Sequence, residues 1–234
     1  MTVQLAMQSA AVRIIGRRPP VFFSSSGTFE VELTDLLNEC AADIMKSHDW
    51  RSLTKFHNVS GDGTATAFPL PTDYDRMVLA EAVTDRETWF WNYTACPDLT
   101  TWSTLNDSAF GAITPGWWII LGGSIQFYPA PPAGQEARFP YISKNYATDS
   151  EDNEKAAFTA DSDTFKLDER LLTLALVWRY RELKGMPDLG SQETYFKALS
   201  EAAARDPGSR VIRSRPHIGP LNTRVAWPWP LGGV

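Results

Sequence analysis

Residues 168–185 of this 234-residue chain read DERLLTLALVWRYRELKG, and the first half of that stretch leaves a helix almost no polar face. Leu171, Leu172, Leu174, Ala175, Leu176, Val177 and Trp178 point in every direction around the axis. A helix that is apolar all round persists in water only when other elements surround it. Asp168 is placed to cap its start and Gly185 to end it. Arg179, Arg181, Glu182 and Lys184 make its second half polar.

Two segments have the pattern needed to cover this helix. In residues 28–47, Phe29, Leu33, Leu36, Leu37, Cys40, Ile44 and Met45 recur at helical spacing. Thr28 is its expected N-cap, and Glu30 and Glu32 suit the positive end of the helix dipole. In residues 191–206, Tyr195, Phe196, Leu199, Ala202 and Ala203 form a stripe, and the short loop around Pro187 implies an antiparallel helix pair. Residues 2–15 predict a short helix, with Val3, Met7, Ala10, Ala11 and Ile14 on one side, broken by Arg17-Arg18-Pro19-Pro20.

After Trp50 the period changes to two. TKFHNV and TATAFPL flank SGDG and read as a hairpin. MVLAEAV, ETWFWNY, WWIIL, SIQFYP and ARFPYIS follow as short aromatic and β-branched strands, separated by Gly and Pro signals. DLTTWSTLNDSAFG is compatible with a short helix or a loop. Residues 147–166 carry six acids and two lysines and read as a solvated acidic loop. From Arg205 on, thirty residues hold five prolines, four glycines and five arginines against one acid, without periodicity. Trp227 and Trp229, each followed by proline, gain nothing in a free tail, so this arm is expected to be bound to something.

The expected fold class is α+β: a small helical bundle with an inserted antiparallel β-sheet or sandwich and an extended C-terminal arm. The expected parts are an N-terminal segment (1–27), a helical core (28–50 and 167–205), a β insertion (51–146), an acidic loop (147–166) and the arm (206–234). A 43% apolar fraction is enough for a normal core. The net charge of −6 argues against a nucleic-acid coat. No run of 18 apolar residues predicts a membrane span. The N-terminal charges follow the apolar part, the reverse of a secretory signal, so synthesis and use in a cytoplasm are expected.

The search for chemistry ends without a constellation. There is no P-loop, HExxH or GxSxG, and Cys40 and Cys96 are isolated, so no metal and no cofactor is expected. Cys40 with His48 would be a nucleophile pair only if Cys40 left its apolar stripe. Asp73 and Asp75, in PTDYD, resemble a glycosidase pair in type, but two residues apart in a turn they suit backbone capping better. His48 at a helix end suits the dipole. Trp89, Phe90, Trp91, Tyr93, Trp102, Trp117 and Trp118 are expected as core and sheet faces. As a stacking platform they would fit a carbohydrate-binding module, the alternative reading. Single-strand nucleic acid fits poorly, because residues 87–136 contain neither Lys nor Arg.

The order of parts carries a resemblance. SHDWRSLTK follows the first long helix, LPTDYDRMV follows the expected hairpin, and WWIILGGSIQFYPAPPAG and ARFPYIS come next. An acidic loop then leads to VWRYRELKG and a last helix breaking at ARDPGSR. Over roughly residues 28–210 this series resembles the head-to-tail adaptor (connector) proteins of tailed bacteriophages, the class that includes podovirus tail tubular protein A. The resemblance implies a non-enzymatic virion protein at the head-tail junction, assembled in the host cytoplasm. It further implies a ring, usually of twelve copies, under the portal protein, contacting neighbouring adaptor subunits and a downstream tail or nozzle protein. Genomic DNA would pass through the lumen without sequence readout. In such a ring Arg210, Arg213 and Arg215 would pair with acids across the joint or with phosphates. Trp227, Trp229 and Leu231 would fill partner pockets.

Overall fold

The computed structural model describes residues 2–78, 84–85, 93–107, 116–187 and 190–206, with the backbone alone at 84, 85, 106 and 107. The chain divides into two compact units. Among the described residues, the first holds 2–55, 73–78 and 142–206, and the second holds 56–72 and most of 84–141.

The first unit is built on α4 (Glu169–Leu183), on which α1 (Val3–Ile15), α2 (Thr28–Ser47) and α5 (Ser191–Arg205) all pack. Leu171, Leu172, Leu174, Ala175, Leu176 and Val177 are buried, as their all-round apolarity demands. Asp168 caps α4 by accepting from Arg170 N at 2.8 Å. Gly185, at φ +60°, takes the left-handed position just past its end. On α2, Leu33, Leu37 and Ile44 are 0% exposed, each contributing roughly 1.5–3 kcal/mol by burial. α2 starts one residue differently from expectation. Gly27 is its N-cap and Thr28 its first helical residue, with Glu30 folded back against Gly27. The α5 stripe is also narrower than expected: Tyr195 and Ala198 are buried, whereas Phe196 is exposed.

The expected acidic loop is not a solvated linker. Residues 147–166 fold into β9 (Ala147–Thr148), with β10 (Glu154–Lys155) and β11 (Thr164–Phe165) antiparallel on its two sides. Tyr146, Phe158 and Phe165 meet edge to face at 5.4–6.2 Å in its interior. Asn38 of α2 anchors the motif, accepting from Phe158 N at 2.8 Å and donating to Phe158 O. The acids serve as internal ties. Asp161 accepts from Phe22 N, and buried Asp163 accepts from Lys155 Nζ, Thr159 N and Ala160 N. The N-terminal helix is fastened here too: Val3 N donates to Asp163 O at 2.7 Å.

β1 (Thr54–Ser60), β8 (Glu136–Ser143) and β3 (Tyr74–Met77) form a sheet in the order β1-β8-β3, and β4 (Thr84–Asp85) also pairs with β8. The chain leaves the first unit within β1 and returns to it within β8. In the second unit β2 (Ala67–Pro69), β7 (Ser124–Tyr128), β6 (Trp117–Leu121) and β5 (Thr94–Ala95) lie in the order β2-β7-β6-β5, and α3 spans Leu99–Asp107. The β5–β6 pair is parallel, a departure from an all-antiparallel insertion. Gly122 and Gly123, both at positive φ, make the two-residue turn between β6 and β7.

The expected hairpin across SGDG does not form: β1 pairs with β8 and β2 with β7. The local turn chemistry was right and the partners were not. Asp62 accepts from Thr64 N and Ala65 N, as Asp in a turn should. Gly61 and Gly63, however, bond to the Pro131–Gln135 loop, and this carries the chain into a different sheet. The expected strands MVLAEAV and ETWFWNY fall largely outside the described residues.

Candidate interaction surface

Two of the phrases that carried the resemblance, SHDWRSLTK and LPTDYDRMV, are joined by polar ties. Arg76, from LPTDYDRMV, donates Nε to Asp49 of the SHDW phrase at 2.9 Å and Nη1 to Asp75 at 2.7 Å. Its Nη2 donates to His48 O at 2.7 Å and Met45 O at 3.3 Å. A cation thus covers the last carbonyls of α2, where a helix end has orphan acceptors. Trp50 Nε1 donates to Ile44 O at 2.8 Å and closes the same end. No single phrase revealed the role of Arg76, because Asp49, His48 and Met45 lie 27 to 31 residues from it.

Asp73 and Asp75 serve different cations. Asp73 accepts from Lys55 Nζ at 2.7 Å and Ser143 Oγ at 2.9 Å, while Asp75 serves Arg76. Lys55 also pairs with Glu154, which pairs in turn with Lys166. Burial pulls the Lys55 ammonium down, but its two carboxylates outweigh that and hold it above its ordinary value. Cys40 is buried, and burial pushes its thiol up to about 12, which leaves it inert as a nucleophile. Among the described residues no group of His, Cys, Asp or Glu is arranged to hold a metal ion, and no helix is long and apolar enough to cross a membrane.

The aromatic platform is largely interior where it is described. Tyr93, Trp102 and Trp118 are buried, and Tyr93 packs on Phe127 at 4.9 Å. Trp89, Phe90 and Trp91 lie outside the described residues.

The arm residues Arg210, Arg213, Arg215, Trp227, Trp229 and Leu231 all lie outside the described residues. The point from which the arm departs does not. Asp206 accepts from Arg51 N at 2.9 Å, lies 3.9 Å from His48 Nε2, and donates its own N–H to Ala202 O. The end of α5 is therefore tied to the SHDWR phrase.

Two outward faces of the first unit are unlike. On α1, Leu5 (45%), Val12 (43%) and Ile15 (37%) are exposed apolar residues, and Arg13 within the helix and Arg17 and Arg18 after it are exposed as well. On α2, the exposed Asp35, Glu39 and Asp43 recur every four residues and so share one side. Arg179 meets that side, 2.9 Å from Asp43 and 3.8 Å from Glu39, with Glu182 at 3.4 Å. Its guanidinium lies 4.7 Å over the Trp178 ring, and Phe196 packs on that ring in turn. At the far end of α2, Glu32 joins Lys184 at 2.5 Å and accepts from Tyr180.

No curated protein matches the chain. A family model, SU10 adaptor protein, matches residues 1–224. The match takes in the N-terminal 27 residues and the arm up to residue 224, beyond the 28–210 over which the phrases carried a resemblance. The chain therefore belongs to the SU10 adaptor protein family and is a phage adaptor, a component of the virion.

Proposed function

We propose that this chain is a head-to-tail adaptor of the tail tubular protein A-like class, one of the copies of a ring between portal and tail. The family match over residues 1–224 carries this reading. Twelve copies is the number the class implies. The helical unit forms the ring, and the β unit faces outward or towards the next tail or nozzle component. Genomic DNA passes through the lumen by charge and shape alone, with no base readout. The protein has no catalytic step.

The arm is the fastening device. Proline-fixed φ angles reduce the entropy lost when an extended segment docks. Arg210, Arg213 and Arg215 pair with acids of a neighbour or the portal. Trp227, Trp229 and Leu231 insert as apolar anchors. The arginines lie inside the family match, which ends at residue 224, and the anchors beyond it. Many weak arms bound at once give a tight joint.

Electron microscopy of the full chain and of a chain ending at Arg215, each alone and mixed with the portal of the same virion, tests this reading. Symmetric rings on the portal with the full chain, lost on truncation, are the expected result. A full chain that never forms a ring on the portal overturns the reading. Rings that persist without residues 216–234 overturn the anchoring role alone.

A further inference from the structure

The phrase SHDWRSLTK, residues 47–55, holds two segments that come to it from far along the chain. One is a strap, residues 73–78. It belongs to the first unit, although the described residues before it (56–72) and those after it (within 84–141) belong to the second. The other is Asp206, the residue at which the arm departs.

The strap is clipped at two points. At its start, Asp73 accepts from Lys55 Nζ at 2.7 Å and Ser143 Oγ at 2.9 Å, and Asp73 O accepts from Lys144 N at 2.8 Å. Further along, Arg76 donates to Asp49 Oδ1 at 2.9 Å and to His48 O at 2.7 Å. Both clips close on residues 48–55. Asp206 closes on the same residues between the clips, accepting from Arg51 N at 2.9 Å. His48 is shared: Arg76 holds its carbonyl, and its ring Nε2 lies 3.9 Å from the Asp206 carboxylate.

The stretch between the clips is stiff. Trp50 and Leu53 are 5% and 1% exposed, and Trp50 Nε1 is fixed to Ile44 O. Arg51–Leu53 form a single 3-10 turn, closed by Leu53 N on Trp50 O. A turn pinned by two buried side chains transmits a displacement rather than absorbing it. Movement of Asp206 at Arg51 N therefore carries His48 O and Asp49 with it, and these are the groups that Arg76 holds.

We infer that residues 48–55 are a joint that couples the root of the arm to the strap 73–78. The joint is complete within one subunit. Its use, to pass the docking of the arm on to the strap, rests on the role of the arm proposed above.

Hydrogen–deuterium exchange of the full-length chain, read by mass spectrometry, tests the joint. Asp206→Ala removes the acceptor of Arg51 N; Asp206→Asn keeps one acceptor oxygen and serves if the first variant does not fold. Exchange across β3 should quicken about fivefold or more, although the bonds of Asp206 run to Arg51 and Ala202. Coupling is reciprocal, so Arg76→Met should quicken exchange over residues 202–206. Asp168→Ala, which removes the cap of α4, controls for general loss of stability and should not single out β3.

An Asp206 variant that quickens residues 48–53 and the end of α5 but leaves β3 unchanged overturns the joint, since the two ties are then independent. Quickening spread evenly over the first unit, as in the control, overturns it as well. With the portal of the same virion added to the wild type, β3 should slow together with the arm. An arm that slows while β3 does not overturns the transmission. An arm that does not slow overturns the docking reading alone, and the variants still decide the joint.

Discussion

Replacing Asp163 with Asn tests whether the acidic segment is a structural fastening. The Asp163 side chain is 1% exposed, and both its oxygens lie 2.7 Å from Lys155 Nζ. It also accepts from Thr159 N at 2.7 Å and Ala160 N at 3.0 Å. Asn keeps one acceptor oxygen and turns an N–H₂ group toward an ammonium. Removing one partner of a fully buried ion pair costs about 3–5 kcal/mol. Lys155 is 25% exposed and can turn toward water, which lowers the expected cost to about 2–3 kcal/mol. At about 2–4 °C per kcal/mol this is a loss of roughly 4–12 °C in melting temperature. Because Asp163 O holds Val3 N, amide exchange over the first turn of α1 should also quicken. A cycle with Lys155→Met should give a coupling of about 1–2 kcal/mol. A change below about 0.5 kcal/mol in the Asn variant, with no coupling to Lys155, would refute the fastening.

Three further outcomes follow from the same structure. Burial works against the charged forms of Asp163 and Glu154. The Lys155 ammonium with two backbone N–H groups, and Lys166 with Lys55, outweigh it and hold both carboxyls below the usual range. A lowered folded pKa contributes stability above the unfolded value, near 4, and loses it as pH falls through the folded one. The denaturant midpoint should therefore be level near neutrality and decline below about pH 5, and a decline just as steep in the Asp163→Asn variant would count against these ties. Cys40, pushed up to about 12 by burial, should resist a thiol reagent at pH 8 in the native protein and react once denaturant is added; fast native labelling at Cys40, located by mass spectrometry, would contradict its place in the core. Gly61→Ala puts a Cβ against the carbonyl oxygens of Pro131 and Pro132. With backbone on the other side it should destabilise the second unit by about 1–3 kcal/mol, and a neutral result by urea unfolding would show that the loop gives way.

Much of the helical unit was legible because helix packing writes itself into local periodicity. The stripe Leu33, Leu37, Cys40, Ile44 and the all-apolar run at 171–178 left few other arrangements open. Asp168 and the turn glycines at 122 and 123 were equally readable, since capping and positive φ are demands of nearest neighbours. The site was less legible. Arg76 lies in a quoted phrase, yet its partners at Met45, His48 and Asp49 sit on another phrase, and only folding brings them together.

The failures share that cause. Asp161 and Asp163 have the composition of a solvated loop, and what made them structural is Phe22, Val3 and Lys155, two of which lie about 140 and more residues away. Sequence alone sets the pattern of helices, the turn at Asp62 and the order of parts that marks the family, because each depends on residues within a few positions. Strand partners, the burial of Asp163 and the packing of α1, α2 and α5 on α4 belong to the tertiary structure. Those depend on which surfaces the chain brings together after long loops close, and no local pattern encodes that.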